Sequence, residues 1–165
     1  MIRLLALSFL LFGVTVSAAQ APKTDPKKNK KDELKLSKEE EGVIELTNVE
    51  RKKAELSPLK ANAKLMAAAR SHAENMAKQD KLDHVLDEKK PADRVKDAGY
   101  TYGYVGENIA WNQDNPKEVL EAWMNSQPHK ENILRKDYEE IGVAVVKNAK
   151  GERYWVQVFA KQLGK

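Results

Sequence analysis

Gly106-Glu107-Asn108-Ile109-Ala110-Trp111, followed by Ala122-Trp123-Met124-Asn125-Ser126-Gln127-Pro128-His129 and then Asn132-Ile133-Leu134, is the stretch whose reading decides this chain. It sets a carboxylate, an imidazole and a tryptophan-bearing helix close together in sequence. A second histidine lies upstream, in Leu82-Asp83-His84. His84 and His129 each follow the end of an expected helix, where loops present side chains to solvent. Two histidines and a glutamate outside regular apolar faces can converge on one polar site, and nothing else in the chain offers chemistry of that density.

Working downstream, Ile141, Val143 and Val145 alternate, as do Tyr154, Val156 and Val158. The turn Asn148-Ala149-Lys150-Gly151 joins them as a hairpin. Upstream the pattern is helical. Ser37-Lys38-Glu39-Glu40 is a capping box, opening a helix that runs to about Glu55, with Val43, Leu46, Val49 and Ala54 as its apolar stripe. A second helix carries Leu65, Ala68, Ala69, His72, Ala73, Met76 and Ala77 at three- and four-residue steps. A short helix follows from Pro91 to Ala98, with Gly99 at its exit. Tyr100, Tyr102 and Tyr104 alternate in an extended stretch leading to Gly106. Asn115-Pro116-Lys117-Glu118 opens the helix that buries Val119, Leu120, Trp123 and Met124. Helices first and an antiparallel hairpin last give an α+β domain.

The ends and the charge say more. Arg3 precedes an apolar run from Leu4 to Val16, which is short of the roughly 20 residues of a membrane span. Small residues follow it. Residues 1–21 therefore read as a secretory signal cleaved after Ala21, with cleavage after Ala19 as the near alternative and an uncleaved N-terminal anchor as the less favoured reading. No transmembrane segment is expected after cleavage, and the expected location is secreted and extracytoplasmic. Residues 22–37 form a lysine-rich linker and residues 38–165 the domain. The formal net charge of +4 sits in the signal and the linker, and the domain itself balances to zero. The linker reads as a solvated spacer, with contact to an anionic surface as the alternative. No aromatic residue interleaves its lysines, so no nucleic-acid partner is expected. The chain has no cysteine, and a domain of this length can bury roughly two-thirds of its unfolded surface without staples.

His72 lies on the alanine-lined face of the second helix and reads as a hydrogen-bonded core residue. His72-Ala73-Glu74 is not a zinc-protease helix, because Met76 stands where the second histidine would be. His84 and His129 are the candidate metal ligands. Two imidazoles hold zinc weakly, and Glu107 can complete the shell or act as base on a metal-bound water. Against this, Glu107 can simply cap local amides. Ser126 lacks the glycine-flanked elbow of a serine nucleophile and reads as a helix cap. Trp111, Trp123 and Trp155 read as packing residues, each with a partner for its indole N–H, with an aromatic ligand wall as the less favoured reading.

The chain from about Glu41 to Phe159 resembles the CAP superfamily: cysteine-rich secretory proteins, antigen 5 and plant pathogenesis-related 1 proteins, whose domain is also called SCP. The resemblance is carried by Leu46-Thr47-Asn48-Val49-Glu50-Arg51, by Ala68 through Ala77, by Asp93-Arg94-Val95 to Gly99-Tyr100, by the opening stretch, and by Glu140-Ile141-Gly142-Val143. The cysteine-free bacterial branch is the nearest in kind. The resemblance implies an α-β-α sandwich with a central antiparallel sheet and an open cleft carrying two histidines and two glutamates. His84 and His129 match the histidines and Glu107 the first glutamate. Alignment on Trp123 puts Ser126 at the second, which removes one acid, and Asn108 joins Ser126 in lining the cleft. The expectation is a secreted binding or interaction module with a cleft able to hold Zn2+ or another divalent metal. Its partner would be an extracellular ligand such as a cell-wall component, a lipid or a protein. A zinc-assisted hydrolase of peptide, ester or glycan with Glu107 as base is one alternative, and a lipid or sterol binder is another.

Overall fold

The computed structural model describes residues 34–164. The signal and most of the lysine-rich linker fall outside them. Helix α1, Lys38–Lys53, starts at the expected box: Ser37 Oγ accepts from the Glu40 amide, and a Glu40 carboxylate oxygen accepts from the Ser37 amide. Its buried face is Glu40, Val43, Ile44, Thr47 and Arg51. That face is rotated from the expected stripe and leaves Val49 exposed. The rotation follows from polar residues that find partners inside. Thr47 meets Gln157, and the Arg51 guanidinium donates to the carbonyls of Ser57, Ile133, Arg135 and Tyr138. A satisfied buried polar group costs little, so pattern alone misplaces the stripe.

A two-residue strand, β1 (Lys60–Ala61), leads into α2 (Ala63–Gln79). Asn62 caps α2 by accepting from the amides of Lys64 and Leu65, and Asp80 ends it in the left-handed conformation with φ 52°. The short helix α3 spans Pro91–Asp97, and β2 spans Tyr102–Trp111. Helix α4 (Pro116–Met124) is followed at once by α5 (Gln127–Ile133), then by the hairpin strands β3 (Glu140–Lys147) and β4 (Arg153–Gln162).

The sheet order is β1-β3-β4-β2, antiparallel except for the β1–β3 pair. Helices cover both faces, as the α-β-α sandwich requires. On one face, Leu65, Ala69, Ala73 and Met76 of α2 and Val95 of α3 pack on Ile109, Ala144, Val156 and Val158. On the other, Val43, Val119, Trp123 and Ile133 of α1, α4 and α5 pack on Ile141, Val143, Trp155 and Phe159. The alternation of β4 divides the two cores: Trp155 and Phe159 point one way, Val156 and Val158 the other. Strand β2 is an edge strand, paired among the described residues with β4 alone.

Candidate functional site

The site is built on β2. Its central residues alternate between the faces, so Glu107 points toward α2 and α3 while Asn108 points toward α1 and α5. The segment Gly106–Trp111 expected to frame the site is therefore strand, and each of its polar residues serves a different layer.

On the α2 side, the Glu107 side chain is only 1% exposed. Both its oxygens accept from Arg94 Nη2, at 3.0 and 2.8 Å. Oε1 also lies 2.9 Å from His84 Nδ1 and 3.7 Å from His72 Nε2. Arg94 itself is 7% exposed. It donates further to the backbone carbonyls of His84 and Lys89, so one guanidinium fixes both the carboxylate and the loop bearing His84. His84 sits in that loop as expected, with its side chain 46% exposed. The carboxylate thus orients the imidazole through Nδ1 and leaves Nε2 as the ring's outward nitrogen. His72 is buried, as expected, but neither of its nitrogens has a hydrogen-bond partner among the described residues. Burial pushes its pKa down to about 4. Glu107 opposes that shift and Arg94 and His84 add to it, while the nearby Asp83 carbonyl, outside hydrogen-bonding geometry, raises it slightly.

On the α5 side, His129 is not in a loop. It occupies the first turn of α5, whose N-cap is Ser126, with Pro128 in that same turn. A seven-residue helix starting right after another helix leaves no period to read, which is why the sequence suggested a loop. The Ser126 hydroxyl makes no cap bond. Asn108 ties α5 to the strand: its amide donates to the His129 carbonyl at 3.1 Å and to Gln157 Oε1 at 3.1 Å, and its oxygen accepts from Asn132 at 2.9 Å. Gln157 passes the chain of bonds to Thr47 at 2.7 Å. Asn108 and Gln157 are wholly buried, so this amide network sets the position of His129. Burial lowers the His129 pKa, and the proximity of His84 lowers it further. The two candidate histidines are tied to adjacent residues of β2: His84 is bonded to the Glu107 carboxylate, and the His129 carbonyl accepts from Asn108. Among the described residues, His129 Nδ1 is buried without a hydrogen-bond partner.

Among the described residues, no group of three or more His, Cys, Asp or Glu side chains is arranged to hold a metal ion. The donor set fits a cation only in part. Two imidazoles are at hand, but the Glu107 oxygens are occupied by Arg94. Arg94 and the Thr47–Gln157–Asn108–Asn132 chain were not anticipated as parts of the site. A lone arginine in a short helix carries no sequence cue of burial, and the amides lie far apart along the chain.

The family model described as "Cysteine-rich secretory protein family" matches residues 44–159. This chain belongs to that family. It is 38% identical over 146 residues to the uncharacterized protein YkwD of Bacillus subtilis, covering 87% of this chain and 56% of that one. The chain thus spans little more than half the length of that relative. Among solved structures, an extracellular SCP-domain protein from Bacillus anthracis superposes with a TM-score of 0.70 at 23% identity, over 75% of this chain and 40% of that one. The structure of NaASP2 with Zn2+ superposes with a TM-score of 0.55 at 14% identity, over 78% and 82%. These likenesses establish the CAP fold for a chain with no cysteine. Among the described residues, no helix is long and apolar enough to cross a membrane.

Proposed function

We propose that this CAP domain is a secreted, extracellular binding module, and that the cleft between His84 and His129 is its ligand site, able to hold a divalent metal through the two imidazoles. The observation that carries the reading is the state of Glu107. Its side chain is 1% exposed and both oxygens are bonded to Arg94. A carboxylate held in this way orients His84 rather than taking a proton from water, so the zinc-assisted hydrolase reading is the weaker one. Ser126 stands where the family resemblance would put a second acid, so that acid is not there to take up the task. Zinc bound here would polarise whatever ligand completes its shell. Its protein ligands would be His84 and His129, with Glu107 fixing the tautomer of His84 from behind. NaASP2 with Zn2+ supports the compatibility of the fold with that ion.

Calorimetric titration with zinc tests the site. His84→Ala and His129→Ala should each weaken binding by at least about tenfold, and Glu107→Gln by about tenfold through loss of orientation. Binding should fade as pH falls through about 6.5, because ligation needs neutral imidazole. For His129, burial lowers the pKa and so keeps its imidazole neutral to lower pH. Undiminished zinc affinity in the His84→Ala, His129→Ala double variant would remove the site. Turnover of a peptide, ester or glycan library with zinc present, lost in Glu107→Gln, would return the hydrolase.

A further inference from the structure

Two of the three tryptophans behave as packing residues. Trp123 is 1% and Trp155 0% exposed, and their indoles donate to the carbonyls of Ile109 and Gln113. Trp111 does not: it is 42% exposed at the end of β2. There it walls a groove of about 450 Å³ together with Leu82, Tyr154, Asp80, Lys150 and Glu152. Leu82 is also exposed, at 46%. An exposed indole and an exposed leucine lining one groove form an apolar surface that no side chain covers among the described residues.

The opposite rim is polar and fixed in place. Asp80, at the left-handed end of α2, accepts from Tyr154 Oη at 2.8 Å and Asn148 Nδ2 at 2.9 Å, and pairs with Lys150. Asn148 Nδ2 also donates to Glu152 Oε2 at 2.6 Å, while its oxygen accepts from the amides of Lys150 and Glu152. Burial and the bond to Asp80 push the Tyr154 hydroxyl up to about 12, so it remains a donor. This network holds the groups at the groove in one arrangement, yet the Asp80 and Lys150 side chains stay 43% and 66% exposed. Free lone pairs and N–H groups therefore remain available next to the indole.

The chemistry of the occupant follows from the two walls. A purely apolar ligand would strand the carboxylates and the ammonium. A free cation would find an indole face and the Glu152 carboxylate, but it would also meet the ammonium of Lys150, which pairs with Asp80 at the same groove. A ligand with a flat C–H face and a periphery of hydroxyls satisfies both walls at once, stacking on Trp111 and exchanging hydrogen bonds with a rim that both donates and accepts. We propose that Trp111, Leu82 and the Asp80–Lys150–Glu152 rim form a carbohydrate-binding subsite that takes a short saccharide segment of an extracellular glycan. The subsite shares no lining residue with the histidine cleft. Trp111 lies four residues beyond Glu107 on the same strand, about 13 Å away. Zinc binding can fail without consequence for it.

Because Trp123 and Trp155 are buried, ligand-induced fluorescence changes in the intact protein report mainly on Trp111. The full secreted chain is titrated with chitotriose, cellotriose, xylotriose and, separately, tetramethylammonium. At least one saccharide should give a saturable fluorescence change and a matching calorimetric isotherm. By calorimetry, Trp111→Ala should weaken that saccharide at least about tenfold and Trp111→Phe by no more than about threefold, since the phenyl ring keeps a stacking face. Both variants should keep the thermal midpoint of the parent, because the ring is exposed. No saturable response to any of the three sugars overturns the proposal. So does unchanged saccharide affinity in folded Trp111→Ala, and so does saturation by tetramethylammonium alone, which would mark a cation site.

Discussion

At Glu107 a buried carboxylate meets one permanent cation and two imidazoles, and the balance among them decides how the cleft behaves. Arg94 is the counter-charge that makes the carboxylate tolerable at 6% residue exposure. Replacing it with methionine leaves a buried charge without a partner and frees the His84 and Lys89 carbonyls. Urea unfolding of Arg94→Met should show a loss of about 3–5 kcal/mol, with Glu107→Gln partly restoring stability in the double variant. A surface pair such as Lys89–Asp97 should show almost no such effect when broken. His72 gives the protein a pH dependence of known sign. Its ordinary pKa of 6.5 falls to about 4 in the fold, chiefly through burial, while it faces Glu107, Arg94 and His84. Between those values the unfolded chain binds the proton and the folded one does not. The contribution is therefore whole above about pH 6.5 and is lost as pH falls toward 4, by at most about 3 kcal/mol. Stability measured from pH 7 down to pH 4 should fall more steeply in the parent than in His72→Gln; parallel curves would show that the ring is solvated or already charged.

Close approach between elements rests on two glycines. A Cβ on Gly142 would stand 2.1 Å from the Leu65 carbonyl carbon, a backbone atom that cannot swing away. Gly142 therefore sets the distance between β3 and the start of α2, as the small residues Ala68 and Ala69 do farther along that helix. Gly142→Ala should cost about 3 kcal/mol through forced displacement of α2, seen as a lowered urea midpoint with an unchanged slope. Gly106 meets Tyr138 Oη at 2.2 Å in the same construction, and Asn132 Oδ1 at 3.0 Å. The glycine preceding Glu107 thus admits the tyrosine that stacks on Phe159. Elements with strong local signals were legible before the structure: the Ser37–Glu40 box, the alanine-rich face of α2, the start of α3 at Pro91, the Asn115 cap and the β3–β4 hairpin all lie where the sequence puts them. Elements defined by tertiary pairing were not. Strand β1 is two residues long, and α5 is a single pair of turns directly after α4. The sequence shows an extended stretch only as far as Gly106; β2 continues to Trp111 with its polar Glu107 and Asn108 buried on opposite faces, which hides the alternation. The candidate site residues rest on the family motif; their partners were not legible in the sequence, because Arg94, Asn132 and Gln157 act across 13 to 49 residues of separation.

For the whole domain, what holds the fold bears directly on what the cleft is free to do. There is no disulfide, and the two apolar cores lie on opposite faces of one sheet whose β4 strand contributes side chains to both. Loss of either core would expose one face of that shared strand, so the two cannot melt independently. Thermal unfolding should be a single cooperative transition, with fluorescence from the buried Trp123 and Trp155 coinciding with far-ultraviolet circular dichroism. The candidate ligands His84 and His129 are bonded to residues of β2, the edge strand, and belong to neither core. Removing a metal from them should cost only its binding free energy, unlike a metal around which a domain folds. Excess chelator should therefore shift the thermal midpoint by no more than a few degrees and leave the transition cooperative. Unfolding in chelator, or a split into two transitions, would mean that an ion braces the edge of the sheet. The cleft would then be a structural metal site and not the ligand site proposed for it.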